Sequence, residues 1–383
     1  MITREQYELL CRDDVRGDID RCIDRDPIET ALDKRLPHAA EVASQVKYLQ
    51  RARRKLPEWY RARCIIPALA FEQSSSCDCA AHKEPEGETA LDLTCGLGVD
   101  SFYLSKRFAH VTAVERDPVL ADVARENFRR LGADNIEVVC ASAEEFIART
   151  EGHYDWCYAD PDRRGPHGEK LVRLEECSPD ITALMPAIRM RADRVCIKAS
   201  PMFDIDEAFR IFGRCRVEAV SLGDECKEVL VYIDGSGPSV TATALGRGSF
   251  TVPRDGSPEP AAPASFRREE YVRLLIPDVA LQKTRLARRY LDGRADIWSD
   301  NGYGFATAEA DTPLCRQEEI ASIERYDPRK LRREMKGRGI EILKREFPVA
   351  THRIAAALGV REGGGERVAF TSVGGEFLVI RLK

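Results

Sequence analysis

Apolar and polar positions along this chain follow two rhythms. Between residues 89 and 233, short apolar runs recur as "TALDL" (89–93), "VTAVE" (111–115), "IEVVCA" (136–141), "DWCYA" (155–159), "RVCIKAS" (194–200), "VEAVSL" (217–222) and "EVLVYI" (228–233). Their length and β-branched content predict strands. The intervening stretches have helical spacing. In "DPVLADVARENFRRLG", Leu120, Val123, Ala124, Phe128 and Leu131 share one helical face. Asp117 is placed to cap that helix, Pro118 to open it and Gly132 to stop it. Strands alternating with helices predict a parallel, doubly wound α/β sheet with right-handed crossovers.

The flanks differ from this core. Residues 1 to about 70 read as helical. Within them "RARRKLPEWYRAR" (51–63) interleaves cations with Leu56, Trp59 and Tyr60. That segment reads either as a solvated helix face with an apolar stripe or as a nucleic-acid contact surface, the first being the better supported. "PRDGSPEPAAPAS" (253–265) is Pro- and Ala-rich and reads as a linker. Beyond it, the basic run "RKLRREMKGRG" (329–339) precedes "PVATHRIAAALG", a helix stopped by Gly359. "ERVAFTSVGGEFLVIRLK" predicts a closing hairpin turned at Gly374-Gly375.

Composition narrows the function classes. With 43% hydrophobic and 32% charged residues, the 383-residue chain reads as soluble and globular, long enough for two or three domains. Its net charge of −5 argues against a uniformly basic nucleic-acid coat, not against local basic faces. No apolar run reaches the length of a membrane span, and "MITREQYELL" lacks the pattern of a signal peptide. The 13 scattered cysteines fit a reducing cytoplasm rather than a disulfide framework. Cys77-Asp-Cys79 is the only close pair and has no metal-site partners nearby, so no metal is expected.

Candidate chemistry begins where the first strand turns into a helix, at "LDLTCGLGVDSF" (91–102). Gly96 and Gly98 let backbone approach a ligand closely, and Glu115, ending the next strand, suits a ribose diol. A dinucleotide would need Gly or Ala where Ser101 stands, and its pyrophosphate would be repelled by Asp92. S-adenosylmethionine, with its ammonium and sulfonium, would be attracted to that acid. A ligand-free Gly turn is the third reading, and the combination of residues favours S-adenosylmethionine.

These residues, from Asp92 through Gly96 and Gly98 to Glu115, resemble the class I S-adenosylmethionine-dependent methyltransferases. The order of "FEQSSS" (71–76) with Lys83, "DLTCGLGVDSFYLS", "DPDRR", "LEECSPDI", "KASPMFDI" and "ECKE" (225–228) is similar to a bacterial subgroup with a C-terminal THUMP-like domain. The resemblance covers most of the chain from about residue 30. It implies a Rossmann-like, seven-stranded methyltransferase sheet with an N-terminal helical region and a small α+β THUMP-like end. The segments are then 1–85 (helical), 86–250 (methyltransferase), 266–312 (ferredoxin-like) and 313–383 (THUMP-like). THUMP domains accompany RNA-modifying enzymes, so the implied partner is structured RNA. The implied cofactor set is Asp92, Thr94, Gly96, Gly98, Asp100, Glu115, Arg116, Ser142 and Ala143, with Gln73 and Ser74 either closing over the cofactor or capping a helix. Two positions depart from the family pattern: Thr94 replaces a glycine, and Ser142 stands where an acid often meets the adenine amino group.

"DPDRR" falls at the carboxyl end of the fourth strand, where ligands of open α/β sheets bind. Amino-directed methyltransferases carry a D/N-P-P-Y/F motif there. Asp160 and Pro161 match its first half, while Arg163 takes the aromatic's position. Asp160 is the nearest acceptor for a proton of the nucleophile. Arg163 and Arg164 read as a base-stacking or phosphate clamp, or as loop partners of Asp162, Glu175 or Glu176. Lys198 and Ser200 end the fifth strand and read as substrate anchors, or, for Lys198, as a partner of Asp204 or Asp206. Arg332 and Arg333 are the candidate RNA contacts. Cys157 and Cys177 read as buried or incidental rather than nucleophilic. The leading function is methylation of an RNA base; a protein or small-molecule acceptor and an inactive RNA-binding module are the alternatives. The oligomeric state is left open.

Overall fold

Each strand of the parallel sheet is an apolar run, and polar residues at or just after the strand ends, among them Asp92, Glu115, Asp160 and Ser200, lie at its carboxyl edge. β1 (Gly87–Asp92), β2 (Phe108–Glu115), β3 (Ile136–Cys140), β4 (Tyr154–Ala159) and β5 (Ala192–Ala199) carry this pattern in a computed structural model that describes residues 2–163 and 171–383. Contacts divide the chain into two compact units, residues 1–215 with 229–236, and residues 216–228 with 237–383.

In the first unit the strand order is β3-β2-β1-β4-β5-β7, where β7 is Glu225–Ile233. β1 to β5 are parallel, with Asp92 in register with Ala113 of β2 and Tyr158 of β4. The expectation of a wholly parallel sheet is corrected at β7, which pairs antiparallel with β5 from Val195↔Ile233 to Ala199↔Val229. Only Gly223 and Asp224, both at positive φ, separate β7 from β6 (Arg216–Leu222). So short a connection reverses the chain and has no room for a crossover helix. The sheet is therefore mixed.

The Pro118–Leu131 helix forms as its sequence predicts, with the Asp117 side chain accepting from Val119 and Leu120 amides and Gly132 left-handed at the stop. Its buried face meets the N-terminal helices in one core that includes Leu49, Leu56, Trp59, Phe102 and Phe128. Trp59 is fully buried edge-on to Phe102 at 5.1 Å. Truncating a ring so placed costs about 3–5 kcal/mol. The basic 51–63 segment is thus a solvated face over an apolar stripe. Arg51 pairs with Glu72, Arg53 with Asp24, and Arg63 with Asp20, while Arg53 and Arg63 stack on Tyr60.

In the second unit β6 pairs parallel with Ser239–Ala244, which pairs antiparallel with Gly248–Pro253. The linker stretch from Arg254 to Arg267 carries neither helix nor strand. A second sheet contains Arg273–Pro277, Cys315–Arg325 and the hairpin Glu366–Val373/Glu376–Leu382 turned at Gly374-Gly375. The helices Pro328–Met335 and Thr351–Leu358 share a core with this hairpin through Leu331, Ile354, Leu358 and Phe370. No helix among the described residues is long and apolar enough to cross a membrane.

Candidate active site

The turn after β1 is built around Asp92, which is wholly buried. Its Oδ1 accepts from the Thr94 amide at 2.9 Å and the Thr94 hydroxyl at 3.4 Å; its Oδ2 accepts from the Ser101 hydroxyl at 2.5 Å. No cation is among these donors. Burial pushes the Asp92 carboxyl up to about 7, against the pull of Ser101 and Thr94. Gly98, at φ +82, caps the helix Val99–Ser105, and a Cβ there would lie 2.5 Å from the Phe128 ring. The Gly96 amide donates to Glu115 Oε2 at 2.8 Å and the Asp117 amide to Glu115 Oε1 at 2.8 Å. Glu115 is raised by burial in spite of both bonds.

A second layer of charge lies under this turn. Asp100, in the first turn of the Val99–Ser105 helix, pairs with Lys83 at 2.8 Å and accepts from the Ser75 hydroxyl at 2.9 Å. Lys83 is only 1% exposed. Burial alone would raise Asp100, but Lys83 and Lys198 hold it down at about 2. Sequence reasoning offered Lys83 only through a family motif and read Ser101 only as a departure from a dinucleotide fingerprint. The signal that would have found Ser101 is its place in the first turn after an acidic strand end.

The "DPDRR" loop leaves β4 directly beside this turn. The Asp160 amide donates to the Thr94 hydroxyl at 2.7 Å, so Thr94 joins the turn after β1 to the loop after β4. A glycine at 94 would have no hydroxyl to make that link, which gives the departure at this position a physical reason. Asp160 Oδ2 is 2.5 Å from Lys198 Nζ, and Lys198 is 4% exposed. Lys198 thus meets Asp160 across the ends of β4 and β5, a partner that its sequence neighbourhood does not offer. Pro161 is buried beside it. Asp162 accepts from Gln73 Nε2 at 3.2 Å and lies 3.7 Å from Arg116, whose Nη1 donates to Ser178 Oγ at 2.8 Å. Gln73 therefore reaches the loop, whereas Ser74 turns its hydroxyl back to Phe71 O at 2.9 Å as a cap. Arg163 accepts through its carbonyl from Leu171 N; Arg164 lies outside the described residues.

The remaining candidates separate by role. Ser142 caps the helix Ala143–Arg149 in a capping box with Glu145, and Ala143 is buried in its first turn. Ser200 Oγ accepts from Met202 N at 3.1 Å in the turn after β5. Arg332 and Arg333 lie in the second unit. Arg332 donates to the carbonyls of Ala356 and Ala357, ending the Thr351–Leu358 helix, and Arg333 is exposed. Burial pushes Cys157 up, and pushes Cys177 up to about 11. Among the described residues no group of three or more His, Cys, Asp and Glu side chains could hold a metal ion.

A Gly turn after β1, an acid ending β2 and an acid immediately after β4 lie on a β3-β2-β1-β4-β5-β7 sheet, and residues 90–161 match the methyltransferase domain family. The curated relatives are similar over about a quarter of the chain. The 23S rRNA (uracil(1939)-C(5))-methyltransferase RlmD of Shewanella amazonensis is 37% identical over 95 residues, 24% of this chain and 21% of that one. RlmD of Klebsiella pneumoniae is 36% identical over 104 residues, 24% of each. An RNA methyltransferase of Thermosynechococcus vestitus is 37% identical over 97 residues, 25% and 22%. The chain thus matches about a fifth to a quarter of the length of these relatives. A crystal structure from Porphyromonas gingivalis W83, of a protein named as a methyltransferase, covers 100% of this chain and 99% of its own at TM-score 0.83 and 21% identity, a likeness of fold.

Proposed function

We propose that this protein uses S-adenosylmethionine to methylate a base of structured RNA. The observation that carries the reading is the Thr94 bridge, which ties the glycine turn to the Asp160 backbone at 2.7 Å. A carboxylate then stands beside the cofactor end of the sheet. Asp92, Gly96, Gly98 and Glu115 are the proposed cofactor residues, with Asp100 and Arg116 supporting the turn and the loop. The cofactor supplies an electrophilic methyl. Gly96 and Gly98 admit it closely, Glu115 takes its ribose hydroxyls, and Asp92 offers negative charge to its ammonium. Ser142 keeps a hydroxyl proton to donate toward the adenine, since its oxygen already accepts from Glu145 N. Gln73 covers the site through Asp162.

Asp160 keeps Oδ1 for the acceptor while Lys198 holds Oδ2. It orients an amine in line with the methyl and receives its proton around the transfer. Arg163 stands at the position of the motif's aromatic, beside the proposed base. The relatives named for uracil carbon-5 match about a quarter of this chain. Here burial raises Cys157 and Cys177, which disfavours thiolate addition to a pyrimidine and supports an amino acceptor. The names of the relatives and the THUMP-like resemblance of residues 313–383 support RNA as the substrate, with Arg333, Lys198 and Ser200 as contacts. We keep the division 1–85, 86–250, 266–312 and 313–383 as the domain proposal, and the cytoplasm as the proposed compartment.

The test uses methyl-tritiated cofactor with RNA and protein fractions from cells lacking the gene, with Asp160→Ala as control. Label entering RNA only with the wild-type chain is the expected result. Label entering protein or small molecules instead would overturn the substrate assignment.

A further inference from the structure

The first unit holds a cavity away from the turn after β1. It has a volume of about 120 Å³, and its lining includes Arg16, Asp20, Leu49, Arg63, Ile65 and Arg130. That is room for several waters, or for one ion with four oxygens. Three arginines from three separate parts of the chain line it, with one acidic residue, Asp20.

The arginines are fixed from behind. Arg130 is held by Glu126 at 2.7 Å and donates through Nη1 to the Arg63 carbonyl. Its Nη2 is buried with no hydrogen-bond partner among the described residues. Arg63 is held by Asp20 at 2.8 Å and by the Tyr60 carbonyl at 2.5 Å. Its backbone sits at φ +52, left-handed for a residue with a Cβ, a conformation that has to be held by its surroundings. Among the described residues Arg16 pairs with Asp13, at 3.4 Å, and that carboxylate is 98% exposed and screened by solvent. Glu126 is shared with Arg129 at 2.9 Å, so it does not neutralise Arg130 alone. The lining residues carry three guanidinia and one carboxylate, a formal excess of two positive charges that Glu126 and Asp13, outside the lining, offset in part. A phosphate monoester carries about −1.5 to −2 at pH 7, and planar guanidinium forks match its oxygens in pairs.

We propose that this cavity is a phosphate-binding site, filled by a terminal phosphate of the substrate RNA or by a free phosphate ion. The RNA source rests on the function proposed above; the phosphate chemistry does not. Inorganic phosphate titrated into the full chain at constant ionic strength, followed by calorimetry, is expected to bind. Arg16→Ala and Arg63→Gly are each expected to weaken it by about tenfold or more, the loss of a charge-assisted contact. Arg63→Gly also removes the left-handed strain, so retained or improved folding with lost phosphate affinity separates a ligand role from a structural one. Cofactor affinity is expected to stay unchanged in both variants. A 5′-phosphorylated oligoribonucleotide is then compared with its 5′-hydroxyl form. A preference for the phosphorylated end, abolished in both variants, assigns the RNA source; equal binding of the two ends assigns the free ion. Phosphate binding that survives both substitutions, or no binding by phosphate and no preference between the ends, overturns the site. Methyl transfer to RNA, measured separately, decides the function above without bearing on the cavity.

Discussion

Asp92 and Asp160 leave neighbouring strands at the same edge of the sheet, and their surroundings are opposite. Asp92 is wholly buried and receives only neutral donors, from Thr94 and Ser101. Asp160 is partly open and already carries a cation, Lys198, at 2.5 Å. The comparison teaches how one edge can serve two purposes. A buried carboxyl with neutral donors gains most from a ligand that brings positive charge. A carboxylate already paired is fixed in place, with one oxygen left to orient a neutral acceptor. Thr94 touches both and keeps the two in step.

The largest effect is expected from removing the acceptor-side acid. Asp160→Ala should lower methyl transfer by about 10²-fold or more while cofactor affinity, measured by calorimetry, changes little. Transfer at the wild-type rate would end the assignment. Gly98→Ala should follow: its methyl meets Phe128 and its φ is left-handed, so a melting experiment should show a loss of about 2–4 kcal/mol, with cofactor binding abolished. Lys198→Met breaks the pair at Asp160. It should reduce transfer about tenfold and stability by roughly 2–3 kcal/mol, less than a fully buried pair because Asp160 is partly exposed.

Asp92 gives the comparison a pH axis. Its folded value is about 7, raised from the ordinary carboxylate range. The unfolded chain therefore gives up this proton near pH 4 while the folded chain keeps it to about 7, so stability without cofactor falls as pH rises through that window. The full penalty above it is on the order of 4 kcal/mol. Asp92→Asn should remove that slope in denaturation measured at several pH values. A cationic cofactor favours the charged carboxyl, so wild-type affinity should rise through about pH 7 and the Asn variant's should not. The smallest effect is expected at Arg333→Ala: RNA affinity about twofold to threefold lower, with the salt dependence reduced by about one counterion. Arg333 is the cleaner choice because Arg332 also ends a helix.

Much of this was legible in the chain itself. The strands β1 to β5, the Asp117–Gly132 helix with its proline and glycine stops, and the hairpin at Gly374-Gly375 follow from periodicity and from residues whose backbone preferences are local. So does the clustering of Asp92, Gly96, Gly98, Glu115 and Asp160 at strand ends, because a parallel sheet places the carboxyl ends of its strands together. What sequence could not fix was pairing across the fold. Lys198 and Asp160 are distant in sequence, and only the adjacency of β4 and β5 brings them together. Lys83 was indistinguishable from a surface lysine until the fold buried it against Asp100. The reversal of β7 needed the two positive-φ residues of its turn. Local preference determined the elements and the chemistry each strand end carries. Burial and charge partners depend on which distant residues meet, and only the tertiary structure decided those.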